Sequence, residues 1–402
     1  MNELVHYFHK IAAYTNRMLL YKKELLILET QTSLVGWKRI VIKVGSALIA
    51  PNQNGCSSHY LLGIAQFVVR CKAMGIEVVL VSSGSVAAGA HFFKEQEEAI
   101  KPSIAVKKAM AAAGQMEMMA TWDKLFDFPT AQILVTHGDL RDRERYVSIK
   151  ETIFSLLENG ILPILNENDT VTTDKLKVGD NDNLSAMVAA AADADTLIIC
   201  SDVDGLYDSN PHDNPDAKLI SSVPNITDEI FAMAGGATSS VGTGGMKTKI
   251  QAAEKAVAHG IDTYIVNGFT VQTFNTLLNG KNPGTHFAPD KRPMNDHLHW
   301  MTHTSTAQGE LVVKNDFDTE LDGDSEQLTS NEIIAVNGDF AVGDTILVRK
   351  DDGTRLAKAK SNYSSCLLSF ITEQDDQAFA SKFEDTTGPI ISDSNIALLE
   401  DE

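Results

Sequence analysis

The chain has 402 residues, a length that predicts two domains rather than one. With 43% hydrophobic and 22% charged residues, its composition is globular, which excludes wholesale disorder, a collagen-like rod and a coiled-coil rod. The 34 Lys+Arg against 54 Asp+Glu leave a formal net charge of −20, which disfavours non-specific binding to nucleic acid or to an anionic membrane.

Residues 1–36 are predicted to be an extension that precedes the folded domains. The most apolar stretch, Met18–Leu28, is interrupted by Lys22, Lys23 and Glu24 and is shorter than the ~20 residues of a membrane helix. No small-residue cleavage site follows it, so no signal peptide is predicted. We interpret the extension as an added amphipathic helix or as the product of an upstream start codon.

Strand-like and helical segments alternate from Trp37 onward. The predicted strands are Arg39–Val44, Glu77–Val81, Thr130–Val135, Ile161–Leu165, Thr196–Cys200 and Asp262–Val266. The predicted helices are Ser58–Met74, Ile104–Phe126, Tyr146–Asn159, Asn183–Ala192 and Lys249–His259. The alternation predicts an α/β domain over residues 37–290, with a mainly parallel sheet sandwiched by helices and a ligand site beyond the carboxyl ends of the strands.

The pattern changes near Asn282-Pro283-Gly284 to short alternating runs separated by Gly, Asp and Asn. These runs are Glu310–Val313, Glu332–Ala335, Asp344–Val348 and Ser365–Ile371. They predict a second, smaller β-rich domain over residues 305–385, and residues 386–402 are predicted to be an acidic, mobile tail. Residues 300–402 carry 21 Asp+Glu against 7 Lys+Arg, so a phosphate-binding surface for RNA is not expected there.

Cysteine and histidine positions bear on location and reaction class. The four cysteines are scattered and form no C-x-x-C pair, which predicts neither a zinc site nor a disulfide framework and fits a reducing cytoplasm. The histidines lie mostly in the extension and in residues 286–303, which disfavours a hydrolase with a histidine base.

Polar and glycine-rich segments follow the predicted strands. Lys43 closes the first strand before Gly45, either as a surface lysine or as a cation aimed at a phosphate. Ser83 and Gly84 follow the second strand, either as a helix cap or as part of an anion site.

The densest polar cluster comprises Asn166-Glu167-Asn168-Asp169 and, further on, Asp180-Asn181-Asp182-Asn183. It is either two solvated turns or a site that holds an α-amino group, orients lysines or ligates Mg²⁺ through water. Ser201-Asp202 follows the fifth strand, and the run Gly242–Lys249 precedes a helix without matching a Walker A loop, because Met246 replaces its second glycine. Lysines, glycine loops, Asp and Asn together are typical of phosphoryl transfer.

Seven segments together resemble the amino-acid kinase family, in the family's order. They are IKVGSALI (Ile42–Ile49), VSSGSVAAG (Val81–Gly89), DRERY (Asp142–Tyr146), LNENDTV (Leu165–Val171), KVGDNDNLSA (Lys177–Ala186), SDVDGLY (Ser201–Tyr207) and GTGGMKTK (Gly242–Lys249). The likeness is strongest to the members that phosphorylate the γ-carboxylate of L-glutamate with ATP, giving L-glutamyl 5-phosphate in the first step of proline biosynthesis. The C-terminal region resembles a PUA domain.

The resemblance implies roles for individual residues. The catalytic group would be Lys43, Lys249 and Asp182, with Asp182 organising the two lysines. The glutamate-binding residues would be Ser83, Gly84, Asn166, Asp169, Asp180 and Asn181. The ATP-binding residues would be Lys43, Ser201, Asp202, Thr243, Gly244, Gly245, Met246, Lys247, Thr248 and Lys249. Lys247 stands where many members have a small residue, and we assign the catalytic role to Lys249 because it matches the family position.

The resemblance also implies partners. Mg²⁺ is expected with the nucleotide, and no protein residue is assigned as a metal ligand. Proline is expected as a feedback inhibitor, the chain is expected to form a homo-oligomer (dimer or tetramer), and neither a membrane nor nucleic acid is an expected partner. The alternative function is that of another amino-acid kinase, with acetylglutamate, aspartate or carbamate as acceptor.

Overall fold

The computed structural model describes residues 35–52, 54–93, 102–172, 181–211, 213–234, 245–291, 293–317, 328, 332–372 and 389–399. Of the predicted extension, residues 1–34 therefore lie outside the described residues, whereas Val35 is buried in the core of the first unit. Packing divides the chain into two compact units. The first runs to His137 and resumes at Val147–Pro293, and the second comprises Gly138–Tyr146 and the chain from Met294.

The first unit is built on one large sheet. Among the described residues it has eight strands, in the order β3-β4-β2-β1-β5-β7-β8-β6. Their bounds are β1 (Arg39–Val44), β2 (Glu77–Ser82), β3 (Thr130–Val135), β4 (Leu162–Glu167), β5 (Thr196–Ser201), β6 (Ser222–Val223), β7 (Asp262–Asn267) and β8 (Thr285–Phe287). All the recorded pairings are parallel except that of β7 with β8. The predicted mainly parallel sheet is confirmed, and β6 and β8 escaped prediction because they are too short to show a pattern.

Helices cover both faces of this sheet. They are α1 (Ser46–Ile49), α2 (Ser58–Ala73), α3 (Ser85–Gly89), α4 (Ile104–Asp123), α6 (Arg143–Glu158) from Val147 onward, α7 (Asn181–Ala191), α8 (Asp228–Met233), α9 (Met246–Ala258) and α10 (Val271–Leu278). Helix α5 (His137–Arg141), apart from His137, and the start of α6 belong to the second unit. In the part of the chain that the structure describes, no helix combines the length and apolarity needed to cross a membrane.

Side-chain alternation in β1 sets where the chemistry lies. Ile40, Ile42 and Val44 belong to the apolar core that also contains Phe67 of α2 and Phe274 of α10. Lys43 points to the opposite face, because successive residues of a strand alternate between faces. That face is covered by α7, whose residues are all buried. One strand therefore anchors the core with one set of side chains and presents a lysine to the other layer.

The second unit has its own smaller sheet, as predicted. Its described strands, in the order β10-β9-β11-β12-β13, are β9 (Gly309–Val313), β10 (Ile333–Gly338), β11 (Thr345–Lys350), β12 (Arg355–Ser361) and β13 (Ile391–Leu398). A short helix α11 (Asp296–His299) leads into a π-helical turn (Trp300–Thr304), and helix α12 (Ser365–Thr372) packs on the sheet.

Two predictions for the second unit are wrong. The run Ser365–Ile371, predicted as an alternating strand, lies within α12, because its buried residues Leu368 and Ile371 are three apart, the spacing of one helical face. The tail 386–402, predicted to be mobile, contains β13, which pairs antiparallel with β12. Its acidic average concealed Ile390, Ile391 and Ala397, which are buried.

The segment Gly138–Tyr146 belongs to the second unit, although the sequence analysis placed it inside residues 37–290. Hydrogen bonds account for this: the Trp300 indole Nε1 donates to the Leu140 carbonyl at 3.0 Å, and the Tyr146 hydroxyl donates to Asp296 Oδ1 at 3.0 Å. Arg143 pairs with the same Asp296 at 3.3 Å. Such contacts join residues 150 or more positions apart, beyond the reach of sequence periodicity.

Candidate active site

A buried carboxylate between two buried lysines forms the first part of the site. Asp182 lies in the first turn of α7, with its Oδ1 2.6 Å from Lys43 Nζ and its Oδ2 3.2 Å from Lys249 Nζ. The Thr248 hydroxyl donates to Oδ2 at 2.8 Å. Lys43 is 7%, Lys249 7% and Asp182 2% exposed, so water screens these charges little. Residues from β1, α7 and α9 thus meet at one point.

Electrostatics keeps Asp182 ionised. Burial on its own would raise the pKa of Asp182, but the charges of Lys43 and Lys249 and the hydrogen bonds from Lys43 and Thr248 hold that pKa well below its usual range. Burial lowers the pKa of Lys249, and Lys43 lowers it further, while Asp182 opposes both effects. Two cations held on one anion leave a net positive centre, which suits an incoming anionic group.

The two candidate lysines lie on the same helix, α9, but point in different directions. Lys249 is buried and reaches Asp182, whereas Lys247, two residues earlier, is exposed. Residues two apart on a helix point in different directions, so only one of such a pair faces the sheet. The position of Lys249 agrees with the choice made from the sequence, although its catalytic role remains a prediction.

A chain of side-chain amides and hydroxyls forms the second part of the site. Asn181 Nδ2 donates both to Ser83 Oγ, at 2.8 Å, and to Asn166 Oδ1, at 2.9 Å. Asn166 Nδ2 in turn donates to Gln115 Oε1 at 2.8 Å. Ser83, Asn166 and Asn181 are 3% exposed or less, and they come from the ends of β2 and β4 and the start of α7. The structure therefore brings together three of the residues predicted to bind glutamate.

Asp169 follows the end of β4 by two residues and is 7% exposed. Its Oδ2 accepts from the Ser85 hydroxyl at 2.8 Å, while Oδ1 is buried and has no hydrogen-bond partner among the described residues. Burial raises the pKa of Asp169, and the Ser85 hydrogen bond offsets part of that rise. A buried carboxylate with one open oxygen suits a cationic hydrogen-bond donor.

Gly84 is required by backbone geometry at the turn between β2 and α3. Its φ is +103°, a region that residues with a side chain rarely adopt, and a Cβ there would lie 2.9 Å from Ile49 Cβ. The glycine thus allows the chain to turn directly after Ser83 and to pack against α1. The backbone conformation alone therefore accounts for a glycine at this position of the site.

The residues predicted to bind the nucleotide are partly described. Ser201, at the end of β5, is 6% exposed and donates to Asp202 Oδ1 at 3.1 Å, and Asp202 is exposed. Gly245 and Met246 begin α9, and the Gly245 carbonyl oxygen lies 2.8 Å from the Thr248 hydroxyl. Three predicted site residues, Asp180, Thr243 and Gly244, lie outside the described residues.

Sequence reasoning missed two polar residues of this site, Gln115 and Ser85. Ser85 directly follows the predicted Ser83-Gly84 pair, so its proximity was a usable signal. Gln115 lies inside the Ala- and Met-rich helix α4 and meets Asn166 across 51 positions of the chain, so its neighbourhood gave no signal.

The fit to Mg²⁺ depends on which carboxylates are open. Both oxygens of Asp182 are held by ammonium groups, which leaves this carboxylate unavailable as a ligand. Mg²⁺ in kinases is held largely by substrate phosphates and water, with one or two carboxylates. The lysine cluster therefore supplies no ligand of its own, and an ion that arrives with the nucleotide fits the site.

With this geometry in place, comparison with known proteins defines the class. The model of the amino acid kinase family matches residues 38–267, and the chain belongs to that family. Within it, the chain is 65% identical over 366 residues to glutamate 5-kinase 1 of Pseudoalteromonas translucida (strain TAC 125), covering 91% of this chain and 99% of the relative. It is 52% identical to glutamate 5-kinase of Idiomarina loihiensis (91% and 98% covered) and 46% identical to that of Salinibacter ruber (87% and 93% covered).

Proposed function

We propose that this chain transfers the γ-phosphoryl group of ATP to the γ-carboxylate of L-glutamate, giving ADP and L-glutamyl 5-phosphate, the first step of proline biosynthesis. One observation carries the proposal: consecutive residues of α7 serve two neighbouring sites. Asn181 belongs to the amide chain and Asp182 to the lysine cluster. An acceptor held by the first would present its far end to the cations of the second. The glutamate 5-kinases to which the chain is similar support the same function.

The chemistry needs charge neutralisation more than proton transfer. A glutamate carboxylate has an ordinary pKa of about 4.3, so it is ionised at neutral pH and needs no general base. One of its oxygens attacks the γ-phosphorus, the bond from phosphorus to the bridging oxygen of ADP breaks, and no proton moves. Lys43 and Lys249 would stabilise the negative charge of the transferring group, and Asp182 would fix both ammonium groups before the nucleotide arrives.

The nucleotide would bind beside this cluster at the end of β5 and the start of α9. Ser201, Asp202 and the segment that ends in Thr248-Lys249 are the residues that we assign to it. Mg²⁺ bound to the phosphates would neutralise part of their charge. The protein's contribution is to place cations and hydrogen-bond donors around them.

The acceptor preference follows from two buried acceptor atoms. Asp169 Oδ1 and Asn181 Oδ1 have no hydrogen-bond partner in the described part of the chain. A free α-ammonium group supplies donors for both, whereas acetylglutamate and carbamate carry no ammonium group. Leaving such buried atoms unpaired costs about 1–3 kcal/mol each, so the pocket disfavours those two acceptors.

An acceptor panel tests the proposed function. With ATP and hydroxylamine present, L-glutamate is expected to give hydroxamate and ADP in equal amounts, and to exceed acetylglutamate, aspartate and carbamate in kcat/KM by about 10²-fold or more, the selectivity of a site built to hydrogen-bond one substrate. If the enzyme prefers another compound of the panel, that compound rather than glutamate is the substrate, and the reaction is still phosphoryl transfer to a carboxylate.

Asp169→Asn tests the ammonium assignment. The change keeps the shape and removes the charge, so the glutamate KM is expected to rise by about 30-fold or more while the ATP KM stays unchanged, the scale of losing a buried charge pair. Since burial raises the pKa of Asp169, the wild-type glutamate KM is also expected to rise as the pH falls through that pKa, and the variant is expected to lack this dependence. Asp216→Asn, at an exposed position, is the matched control. Equal effects on both substrates would contradict the assignment.

Regulation, assembly and location are further proposals. Family membership supports feedback inhibition by proline, which the kinase assay with added proline would test. It also supports a homo-oligomer, which light scattering of the purified protein would test. Four free cysteines, of which Cys71 and Cys200 are buried, support a reducing cytoplasm.

The second unit is proposed to be PUA-like, on the strength of its small mixed sheet and the sequence resemblance. Its segment 300–402 carries a net −14 from 21 acidic and 7 basic residues. RNA binding depends on cations that release counterions from phosphates, so we propose that this unit has no RNA partner.

A further inference from the structure

We propose that Gln115 is a positioning residue of the acceptor pocket: together with the Glu167 backbone N–H, it holds the orientation of the Asn166 amide and, through it, that of Asn181. The inference rests on the proposed function, because its consequence is affinity for the acceptor. Gln115 lies on α4, is 9% exposed, and bonds directly to Asn166, one of the residues predicted to bind glutamate.

Two groups hold the orientation of the Asn166 amide: the Glu167 backbone N–H and the Gln115 side chain. Amide oxygen and nitrogen are ordinarily assigned from their partners. Here the Glu167 backbone N–H, which can only donate, lies 2.9 Å from the Asn166 side chain, so the atom facing it must be Oδ1. Nδ2 must then face Gln115, and Gln115 must present its own oxygen, Oε1, at 2.8 Å. No other assignment satisfies these contacts.

The same logic passes on to Asn181. Because Asn166 presents Oδ1, Asn181 must present Nδ2 to it, and the same Nδ2 reaches Ser83 Oγ. Asn181 Oδ1 is thereby left as a buried acceptor with no partner in the described residues, like Asp169 Oδ1. Gln115 accepts from the other end of the Asn166 amide and so helps to keep acceptors, rather than donors, facing the α-amino end of the substrate.

Without the Gln115 oxygen, the Glu167 N–H alone would hold this polarity. Asn166 Nδ2 would then be a buried donor with no acceptor, and both asparagine amides could rotate to find new partners. A rotated Asn181 would present its NH₂ group to the substrate ammonium, which is a repulsive arrangement.

The backbone holds Gln115 in this position. Its neighbour Gly114 lies so close to α3 that a Cβ there would overlap the Ser85 carbonyl oxygen, and a Cβ at Gly89 would overlap the Met110 carbonyl oxygen. Two glycines therefore bring α4 and α3 into direct backbone contact beside the pocket. Ser85 is also the residue that donates to Asp169, so the same contact fixes both acceptors.

The test replaces Gln115 with residues that keep its length. Gln115→Met removes the acceptor, and the glutamate KM is expected to rise about tenfold or more with the ATP KM within about twofold, a pattern confined to one substrate. Gln66→Met makes the same chemical change at an exposed position of α2 and is expected to leave both constants unchanged. A merely structural role of Gln115 would lower the melting temperature without separating the two KM values.

Two further variants keep the test decisive. Gln115→Glu retains an acceptor opposite Asn166 and is expected to keep the glutamate KM closer to wild type than Gln115→Met does. In an Asn166→Ala background, Gln115→Met is expected to add less than about twofold, because the two residues act in series. A glutamate KM raised equally by Glu and Met, or additive effects with Asn166→Ala, would overturn the inference.

The outcome also separates this inference from the proposed function. A wild-type enzyme that phosphorylates glutamate, together with a Gln115→Met variant of unchanged glutamate KM, would overturn the positioning role alone. A wild-type enzyme inactive with glutamate would overturn both.

Discussion

Lys249→Ala is expected to lower kcat by about 10²-fold or more, the scale of losing one preorganised electrostatic contact to a transition state. Lys249 is buried on Asp182 and shares it with Lys43, so Lys43→Ala is expected to have an effect of the same size. The measurement is the steady-state rate of ADP release at saturating glutamate and ATP.

Exposed lysines provide the comparison. Lys247→Ala is expected to be mild, with at most a small rise in the ATP KM, because Lys247 points to solvent two residues before Lys249. Lys107→Ala, on the exposed side of α4, serves as the neutral control. If Lys247→Ala proves as damaging as Lys249→Ala, the assignment of the catalytic lysine is wrong.

Asp182→Asn is expected to destabilise the fold as well as to abolish efficient turnover. It leaves two buried ammonium groups facing a neutral amide, and breaking a buried ion pair from one side costs about 3–5 kcal/mol of unfolding free energy. Urea denaturation measures this loss, with the exposed Asp216→Asn as a matched control. A stability within about 1 kcal/mol of wild type would show that Asp182 does not neutralise the two lysines.

The pH dependence of this loss has a defined sign. The pKa of Asp182 is lower in the folded protein than in the unfolded chain, so its stabilising contribution is present above about pH 4, the unfolded value, and is lost as the pH falls further. The difference in unfolding free energy between wild type and Asp182→Asn is therefore expected to be constant near neutrality and to shrink below about pH 4.

Strand periodicity explains why much of this site was predictable. The β-branched run Arg39–Val44 indicates a buried strand, and the carboxyl ends of parallel strands meet at one edge, which brings Lys43, Ser83, Asn166 and Ser201 together. The placement of Asp182 between two lysines was expected from the family resemblance rather than from spacing, and the geometry agrees with it.

The parts that escaped prediction depend on long-range contacts. Gln115 has a polar role that only the fold reveals, because Asn166 lies 51 residues away and α4 approaches α3 through glycines. The transfer of Gly138–Tyr146 to the second unit depends on Trp300 and Asp296, far along the chain. Strand β13 is recognisable only beside β12, since four consecutive polar residues, 392–395, interrupt its sequence.

Transfer of oxygen isotope tests the central claim most directly. L-glutamate labelled with ¹⁸O in its γ-carboxylate is incubated with ATP and the enzyme, and hydroxylamine then cleaves the acyl phosphate at carbon. If the carboxylate is the nucleophile, the bridging oxygen leaves with phosphorus, and ³¹P NMR is expected to show inorganic phosphate that carries one ¹⁸O atom per ADP formed. Phosphate without ¹⁸O would show that water attacks ATP, and would contradict the account.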